Sequence, residues 1–536
     1  MRFCSSVFLS FAAALAVPHP PSFAAGANGG VDVAAKIDPT KLEFKLLATR
    51  RFMLDNEVNI SEFVPGQSAR PSLQNPLMPY CTNAAPSLAY GNGSVTLSAT
   101  GRPAEGVLFV GAFHPGVHFS AEFRSLTPGA SAVLCIAPFD GSFRSCVRAE
   151  PGRPVVFEQS LNGKPLPARL DEPQVVPPAP FRLSAVVAGP TLLIAVRKDG
   201  DVRYLGSVAL ADEPDIRRRD FAGTLKCAAG AALPPGGKAE IGRAAVTLTA
   251  GVGQADFRIV TDGPGCRPYM ENGRIFCTFS ARAGLKYTKS VASFNPTVFD
   301  FRMEGILLTN YGEGDDLLRN DGVGHLFRDA DGVWKAVAVG WSTTAHDLNA
   351  KSRRGSGLVA CETKENPLHG IHVLQARPLV VGDGVKSEDP YSTFDAAAGK
   401  WRLSTSSFTG KGLRACLWES DRWDGPYSQI AGPVEFDSTG CEIMDFGGRK
   451  YVMTANAGRR RPVYEYPSLK YMGELKLDFE PYNRECPNGR IFMAFAEMPE
   501  GAPYRYVMLT MDRQNFPGMP RPNWTYGAMY FYGANP

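Results

Sequence analysis

The sequence predicts an almost entirely β fold, and three observations support this prediction. Gly (55 residues) and Pro (43 residues) are frequent in the chain of 536 residues, as expected where many turns join short strands. Polar and apolar residues alternate in short segments between about residues 80 and 249, which is the period of a half-buried strand. A strand-turn-strand unit recurs about five times in the C-terminal half. These patterns favour turns and strands over long helices.

The first 24 residues have the features of a secretory signal peptide. Arg2 precedes an apolar run at residues 7–17, and small residues follow at Ala24 and Ala25. The run is too short to cross a bilayer as a helix, and no later segment approaches about 18 uninterrupted apolar residues, so no membrane span is expected. We expect a secreted or periplasmic protein after cleavage of residues 1–24.

Charge and cysteine content argue against nucleic-acid and metal partners. The formal net charge is only +4 and no basic block dominates, so the counterion release that nucleic-acid binders use is unsupported. The sequence has no CxxC pair and no Cys/His cluster with zinc-ligand spacing, so we expect neither a metal nor another cofactor. Cys135 and Cys146 flank a turn and are the best candidates for a disulfide across a hairpin, and Cys266 with Cys277 is a weaker pair.

The first half of the chain predicts a sandwich of antiparallel sheets. Residues 181–187 and 191–196, followed by the turn at Asp199-Gly200, are typical of three strands in a meander. Antiparallel strands with one solvated face close most economically as two packed sheets. We therefore expect a β-sandwich over residues 80–250, after an N-terminal extension at residues 25–79. Its pattern resembles the concanavalin-A-like or laminin-G-like sandwiches that accompany many carbohydrate enzymes.

The second half, residues 251–536, repeats one unit. Residues 271–279 and 487–495 both contain Asn-Gly-Arg-Ile-Phe at the start of an apolar strand. Three further units share an acidic residue, a short strand, a Gly-containing turn and a second strand with a bulky residue near its start. Five units of about 55 residues suit the four-stranded blades of a β-propeller, whereas a second sandwich does not predict repetition.

Acidic residues at the starts of these units are the candidate catalytic groups. The first strand of every propeller blade lines the central channel, so residues far apart in sequence converge there. Clustered carboxylates repel, which raises the pKa of some and leaves others ionised. Glycosidic hydrolysis needs this division, because one protonated acid serves the leaving oxygen and one carboxylate acts as nucleophile or base. The candidates are Asp256, Asp321, Glu388, Asp389 and Glu442.

A family resemblance is found around residues 387–403. The step Glu388-Asp389-Pro390-Tyr391, followed by a turn at Gly399 and an aromatic-rich strand, resembles the blade starts of five-bladed-propeller glycoside hydrolases, the group of arabinanases, β-xylosidases, invertases and levansucrases. Residues 419–427, with their Gly-Pro-Tyr step, resemble segments between blades in that group. The resemblance covers roughly residues 253–535. It implies a five-bladed propeller that hydrolyses O-glycosyl bonds of an oligosaccharide or polysaccharide.

The resemblance also implies three carboxylates from successive blades, namely a base or nucleophile, an orienting Asp and a Glu acid. One assignment uses Asp256 as base or nucleophile, Asp321 as the orienting Asp and Glu388 as acid with Asp389 beside it. A second assignment, shifted by one blade, uses Asp321, Asp389 and Glu442. We favour the shifted assignment slightly, because the first unit lacks the expected Pro after its acid.

Other side chains are candidates for binding the sugar. Arginines near blade strands match carboxylates bidentately, which suits an acidic sugar such as a uronic or ulosonic acid. Aromatic rings stack on sugar faces, although solvated loops and core packing compete with these interpretations. The substrate-binding candidates are Arg459, His325, Tyr391, Trp341 and Arg402.

The leading hypothesis is a secreted glycoside hydrolase, and two alternatives stay open. A polysaccharide lyase on a propeller would remove a proton beside a uronate carboxylate, using His or Tyr, and would release an unsaturated product that absorbs in the ultraviolet. A non-catalytic glycan-binding protein would use the carboxylates only as hydrogen-bond partners for sugar hydroxyls.

Overall fold

The alternation of polar and apolar residues is realised as strands throughout the chain. Only Arg219–Thr224 (α1) is α-helical in the part that the structure describes, with one 3₁₀ helix at Pro39–Lys41, so the prediction of an almost entirely β fold is confirmed. No helix among those residues is long and apolar enough to cross a membrane. The computed structural model describes residues 37–51, 59–63, 84–210, 213–263, 266–284, 286–312, 314, 316–320, 322, 324–340, 357–481, 490–519 and 526–536.

The segment predicted as a signal peptide, residues 1–24, lies outside the described residues, so that interpretation stays a prediction. The first two strands are β1 (Glu43–Arg50) and β2 (Asn59–Phe63). Both belong to the predicted N-terminal extension, and each pairs with a strand that is remote in sequence.

Two sheets account for residues 87–248. Their strands are β3 (Ser87–Gly91), β4 (Ser94–Ser98), β5 (Ala104–Ala112), β6 (Val117–Leu126), β7 (Ser131–Ala137), β8 (Phe143–Ala149), β9 (Val156–Leu161), β10 (Lys164–Pro165), β11 (Arg169–Asp171), β12 (Phe181–Ala188), β13 (Thr191–Lys198), β14 (Asp201–Ala209), β15 (Lys226–Leu233) and β16 (Lys238–Leu248). The smaller sheet has the order β10-β9-β8-β7-β15-β5, and the larger has β11-β14-β13-β12-β6-β16-β4-β3, with β2 paired to β16. Leu134 of the smaller sheet and Phe119 of the larger belong to one buried cluster, so apolar faces of both sheets share a core.

The predicted meander is confirmed, whereas neither of the two predicted disulfides is formed. Strands β12, β13 and β14 form the predicted meander. Cys135 of β7 lies directly opposite Cys146 of β8, although no disulfide joins them. Cys266 and Cys277, which belong to the second half of the chain, lie in different hydrophobic clusters, and the Cys266 thiol donates to the Ile443 carbonyl at 3.3 Å.

Residues 253–378 form a ten-stranded sheet with two halves. Its strands are β17 (Gly253–Ile259), β18 (Thr261–Asp262), β19 (Met270–Glu271), β20 (Arg274–Ala283), β21 (Lys286–Phe294), β22 (Phe301–Asn310), β23 (Gly324–Arg328), β24 (Trp334–Gly340), β25 (Gly357–Thr363) and β26 (Gly370–Pro378). We name the antiparallel run β17-β20-β21-β22 sheet I and the run β23-β24-β25-β26 sheet II. Parallel pairing of β22 with β26 joins the two halves at their outer edges.

Three further sheets follow. Their strands are β27 (Ser387–Asp395), β28 (Lys400–Thr409), β29 (Gly412–Ser420), β30 (Ser428–Ala431), β31 (Thr439–Phe446), β32 (Arg449–Ala455), β33 (Pro462–Glu465), β34 (Tyr471–Glu474), β35 (Lys476–Leu477), β36 (Ala494–Glu497), β37 (Tyr506–Met511) and β38 (Met529–Ala534). Sheet III is β27-β28-β29-β30, and sheet IV is β31-β32-β33-β34. Sheet V has the order β36-β37-β38-β1-β35, so an N-terminal strand completes the C-terminal sheet.

The first strands of sheets I to V contact one another in sequence order. Strand β17 contacts β23, β23 contacts β27, β27 contacts β31, β31 contacts β36, and β36 contacts β17. Large apolar side chains fill the spaces between neighbouring sheets; for example, Phe327 of sheet II packs with Trp401 and Trp418 of sheet III. Short antiparallel sheets arranged in this way make a propeller-like fold, and the starts of their first strands meet at one end of the shared axis.

Candidate functional site

A β-bulge interrupts the first strand of three sheets at the same place. The pairing register shifts after Ala255 in β17, after Glu388 in β27 and after Thr439 in β31. The next residue in each strand has a positive φ angle, and these residues are Asp256 (56°), Asp389 (56°) and Gly440 (64°). Gly adopts this left-handed conformation freely and Asp tolerates it better than most residues, so the bulges suit the residue types they carry.

The bulges define which residues of the three strands are equivalent. Asp256 and Asp389 share one position, and Gly440 takes that position in sheet IV. Glu442 lies two residues further along its strand, so it is not the counterpart of the two aspartates. A Cβ atom on Gly440 would lie 3.0–3.2 Å from ring atoms of Phe492, so the Phe492 ring occupies the space beside this position.

Asp389 is fixed by donors from two sheets. Its Oδ2 accepts hydrogen bonds from Ser406 Oγ at 3.0 Å, Thr439 Oγ1 at 2.7 Å and the Gly440 amide at 2.9 Å. Ser406 belongs to sheet III, whereas Thr439 and Gly440 belong to sheet IV. The carboxylate therefore bridges the two sheets at the start of their first strands and has one set orientation.

Asp256 forms an ion pair at the start of sheet I. Its Oδ2 lies 2.7 Å from Nη2 of Arg282, which follows on the neighbouring strand β20. The Arg282 guanidinium also lies 5.2 Å from the centre of the Tyr287 ring. Because this carboxylate keeps a small exposed surface and its partner is a fixed guanidinium, it can face a ligand as a held, charged group.

Glu388 is the carboxyl group with the most altered acidity in this cluster. Burial, together with the neighbouring charges of Asp389 and Asp256, raises the pKa of Glu388 to about 8, against smaller opposing effects of Arg490 and Lys386. At neutral pH Glu388 therefore holds its proton. The structure places Glu388 beside Asp389 and within the electrostatic influence of Asp256, so three of the five acidic residues predicted from the sequence share one region.

Glu442 lies in a closed environment, two residues beyond the bulge at Gly440. Its Oε2 is 3.1 Å from Nη1 of Arg258, its Oε1 accepts from the Phe495 amide at 2.8 Å, and both Glu442 and Arg258 have 0% exposure. Burial raises the pKa of Glu442 to about 7, although the Arg258 charge opposes this effect. With no exposed surface, Glu442 does not face solvent, whereas Asp256 and Glu388 each keep 8% exposure.

Two aromatic candidates are part of the interior. His325 and Tyr391 each have 1% exposure, and their rings stack at 4.0 Å with an interplanar angle of 8°. The Ser392 amide donates to His325 Nδ1 at 3.4 Å, so Nε2 carries the proton and donates to Thr261 Oγ1 at 2.9 Å. Burial lowers the pKa of His325 well below its usual value, so the ring is neutral.

The arginine candidates differ in position. Arg402 bonds Tyr466 Oη at 3.2 Å and pairs with Asp395, which lies at the other end of β27, about 20 Å along the strand from Asp389. Arg459 lies in the turn after β32 with a φ of 60°. Asp321 and Trp341 lie outside the described residues.

The turn that contains Arg459 contacts Asp437, the partner of a second arginine, Arg490. Asp437 Oδ2 accepts from the Ala457 amide at 3.2 Å, and Asp437 holds Arg490 bidentately at 2.8 and 2.9 Å. The Arg490 charge opposes the raised pKa of Glu388, although Asp437 forms an ion pair with this guanidinium. Sequence reasoning missed Arg282, Arg490 and Arg258, because their proximity to the acids depends on pairing between strands and sheets.

No protein-family model matches this sequence, and no curated protein matches it. Among the described residues, no group of three or more His, Cys, Asp or Glu side chains is arranged to hold a metal ion. Similar solved structures include the catalytic domain of a GH62 α-L-arabinofuranosidase of Coprinopsis cinerea, at 11% identity and a TM-score of 0.35 over 53% of this chain and 91% of that chain. A GH43 β-1,3-galactosidase matches at 11% identity and a TM-score of 0.35, over 52% of this chain and 90% of that chain. A family 117 glycoside hydrolase of Zobellia galactanivorans matches at 10% identity and a TM-score of 0.34, over 53% of this chain and 91% of that chain. These low values do not establish an activity for this chain.

Proposed function

We propose that this protein is a secreted glycoside hydrolase that cleaves O-glycosyl bonds in an oligosaccharide or polysaccharide. The observation that carries the proposal is the cluster of Asp256, Glu388 and Asp389, in which one carboxyl group is protonated at neutral pH beside two others. Glycosidic hydrolysis requires a proton donor for the leaving oxygen and a second carboxylate at the anomeric carbon. This division of roles matches what burial and mutual repulsion produce here.

Each carboxyl group has a role in this proposal. Glu388 donates its proton to the glycosidic oxygen as the bond to the anomeric carbon breaks. Asp256, paired with Arg282, acts on the anomeric carbon either directly or by deprotonating a water molecule. Asp389, with Oδ2 occupied by three donors, orients the sugar and keeps the pKa of Glu388 high.

This proposal adopts the unshifted assignment for Asp256 and Glu388 and gives the orienting role to Asp389. The support is positional, because Asp256 and Asp389 occupy equivalent bulges and Glu442 is paired with Arg258 without exposed surface. The lyase alternative receives less support, since His325 and Tyr391, the His and Tyr among the candidates, are buried and stacked.

We further propose a five-bladed β-propeller over residues 251–536 and a β-sandwich over residues 80–250. The ring of contacts among five first strands supports the propeller, and the cluster shared by the smaller and larger sheets supports the sandwich. Strand β1, from the extension, would belong to the last blade. The Arg459 guanidinium, in the turn after β32, would favour an acidic sugar.

The test is product release from a panel of neutral and acidic oligosaccharides, analysed by chromatography and mass spectrometry. We expect wild-type protein to release shorter sugars, and Glu388→Gln or Asp256→Asn to lose activity by at least about 100-fold. Asp395→Asn is the matched control, because Asp395 is a buried carboxylate at the other end of β27, and it should keep activity.

Three outcomes would contradict parts of the proposal. Binding without any product from wild-type protein would indicate a glycan-binding protein. An unsaturated product with ultraviolet absorbance would indicate a lyase. Wild-type turnover by both Glu388→Gln and Asp256→Asn would show that other residues perform the hydrolysis.

A further inference from the structure

The Arg258 guanidinium donates hydrogen bonds to the backbone of two of the three bulges. Nη1 donates to the Gly440 carbonyl at 3.4 Å and to Glu442 Oε2 at 3.1 Å. Nη2 donates to the Asp389 carbonyl at 3.1 Å and to the Cys441 carbonyl at 2.9 Å. One side chain of sheet I therefore holds three backbone carbonyls that belong to sheets III and IV.

These carbonyls lie where the strand ladders are interrupted. A bulge leaves backbone groups without their usual cross-strand partner, and a buried carbonyl needs a donor. Asp389 and Gly440 are the residues of positive φ in the first strands of sheets III and IV. Arg258 supplies donors at these two positions, and it sits two residues after the third bulge, at Asp256.

The same two bulge residues are also joined on the other side. The Gly440 amide donates to Asp389 Oδ2 at 2.9 Å, while the carbonyls of both residues accept from Arg258. The backbone at Asp389 and Gly440 is thus held by two sets of contacts, the hydrogen bond between the Gly440 amide and the Asp389 carboxylate and the hydrogen bonds from Arg258 to the two carbonyls. A displacement of Arg258 would move the backbone of both bulges.

Glu442 and an aromatic ring complete the surroundings of the guanidinium. Glu442 balances the charge, and its Oε1 accepts from the Phe495 amide of sheet V. The Phe492 ring lies over the guanidinium at 4.3 Å from its centre. Arg258 therefore links sheet I with sheets III and IV directly and with sheet V through Glu442.

General stabilisation does not account well for such a pair. A buried ion pair contributes little net stability compared with apolar side chains of similar size, because desolvation offsets the attraction. The four hydrogen bonds instead give fixed geometry at the backbone of the proposed catalytic cluster. We propose that Arg258, held by Glu442, is a positioning residue that sets the separation of Asp256, Glu388 and Asp389, an inference that rests on the proposed function.

The experiment replaces the ion pair by two apolar side chains of similar length, Arg258→Met with Glu442→Met, so that no buried charge is left alone. The matched control is Arg449→Met with Glu465→Met, which removes a cross-strand ion pair of sheet IV remote from the bulges. Thermal unfolding, kcat, KM and the titration of Glu388 are measured for each protein. The titration uses ¹³C-carboxyl NMR, with Glu388→Gln for assignment, and needs no substrate.

We expect the apolar pair to fold and its kcat to fall by about 10- to 100-fold, with a smaller change in KM. The midpoint of the Glu388 titration should fall by about one pH unit or more, which is a tenfold change in its protonation equilibrium. The control pair should retain the wild-type kcat and Glu388 midpoint. Arg258→Lys keeps the charge but has fewer donors for the four acceptors, so its midpoint and kcat should be intermediate.

Two results would overturn the inference. The first is a wild-type Glu388 midpoint and kcat in the folded apolar pair. If the apolar pair does not fold, the second result is a Glu388 titration midpoint and a kcat in Arg258→Lys that both equal those of wild type. If wild-type protein releases no sugar from any glycan, the proposed function fails, and the Glu388 titration alone still decides the positioning role.

Discussion

The Glu388→Gln substitution gives a test of the cluster that does not depend on knowing the substrate. Burial and the charges of Asp389 and Asp256 raise the pKa of Glu388 from its ordinary 4.5 to about 8. In the unfolded chain these influences are absent. Gln keeps the shape of the protonated side chain but cannot ionise, so it removes the cost of the raised pKa.

The sign and size of the effect follow from proton binding. Between pH 4.5 and about 8 the folded protein holds a proton on Glu388 that the unfolded chain releases, so stability falls as pH rises. The interval spans about 3.5 pH units, and each is worth about 1.4 kcal/mol. The free energy of unfolding of wild type should therefore decrease, relative to that of Glu388→Gln, by on the order of 5 kcal/mol, and should level off above pH 8.

The assay is urea unfolding of both proteins at intervals from pH 4.5 to 9. Glu388→Gln should match wild type near pH 4.5 and become progressively more stable as pH rises. Asp395→Asn is a control of opposite sign, because hydrogen bonds from Tyr466 and the Ala398 amide lower the pKa of Asp395 despite its burial. That variant should be less stable than wild type by a constant amount between pH 4.5 and 9, because a pKa lowered from 3.8 makes stability depend on pH only in more acidic solution. A constant difference between Glu388→Gln and wild type from pH 5 to 9 would refute the reasoning.

Three further predictions concern activity and folding. Wild-type kcat should fall above about pH 8 as Glu388 loses its proton, and a pH–rate profile that stays flat to pH 10 would contradict this. Phe44→Ala should destabilise the protein by about 3–5 kcal/mol, because Phe44 of β1 is fully buried in the cluster of sheets IV and V; urea unfolding with little change would show that β1 is not docked. Gly440→Ala should cost about 1–3 kcal/mol, since a positive φ and the Phe492 ring both oppose a Cβ atom, and equal midpoints in urea would exclude that strain.

Much of the local structure could be read from consecutive residues. The meander of β12 to β14 and the hairpin that places Cys135 opposite Cys146 were predicted, because a period of two and a turn signal are encoded within a few residues. The repeated unit of the second half also led to Asp256, Glu388 and Asp389 as a set. Their recurrence at strand starts was visible without any knowledge of sheet packing.

Pairing between distant segments could not be read in this way. Strand β1 completes sheet V by pairing with β38, yet nothing in residues 43–50 indicates a partner almost at the opposite end of the chain. Cys266 and Cys277 were paired by the same turn pattern that placed Cys135 opposite Cys146, and this prediction failed because the two side chains pack in different hydrophobic clusters.

The sequence by itself determined the strand periodicity, the repeats and which acids were candidates, because these depend on neighbouring residues. Only the tertiary structure decided that Asp256 and Asp389 are equivalent while Glu442 is displaced to a buried pair with Arg258. A bulge adds a single residue to one strand and is seen only against the strand it pairs with. The high pKa of Glu388 has the same origin, because burial and two neighbouring charges exist only once the sheets have met.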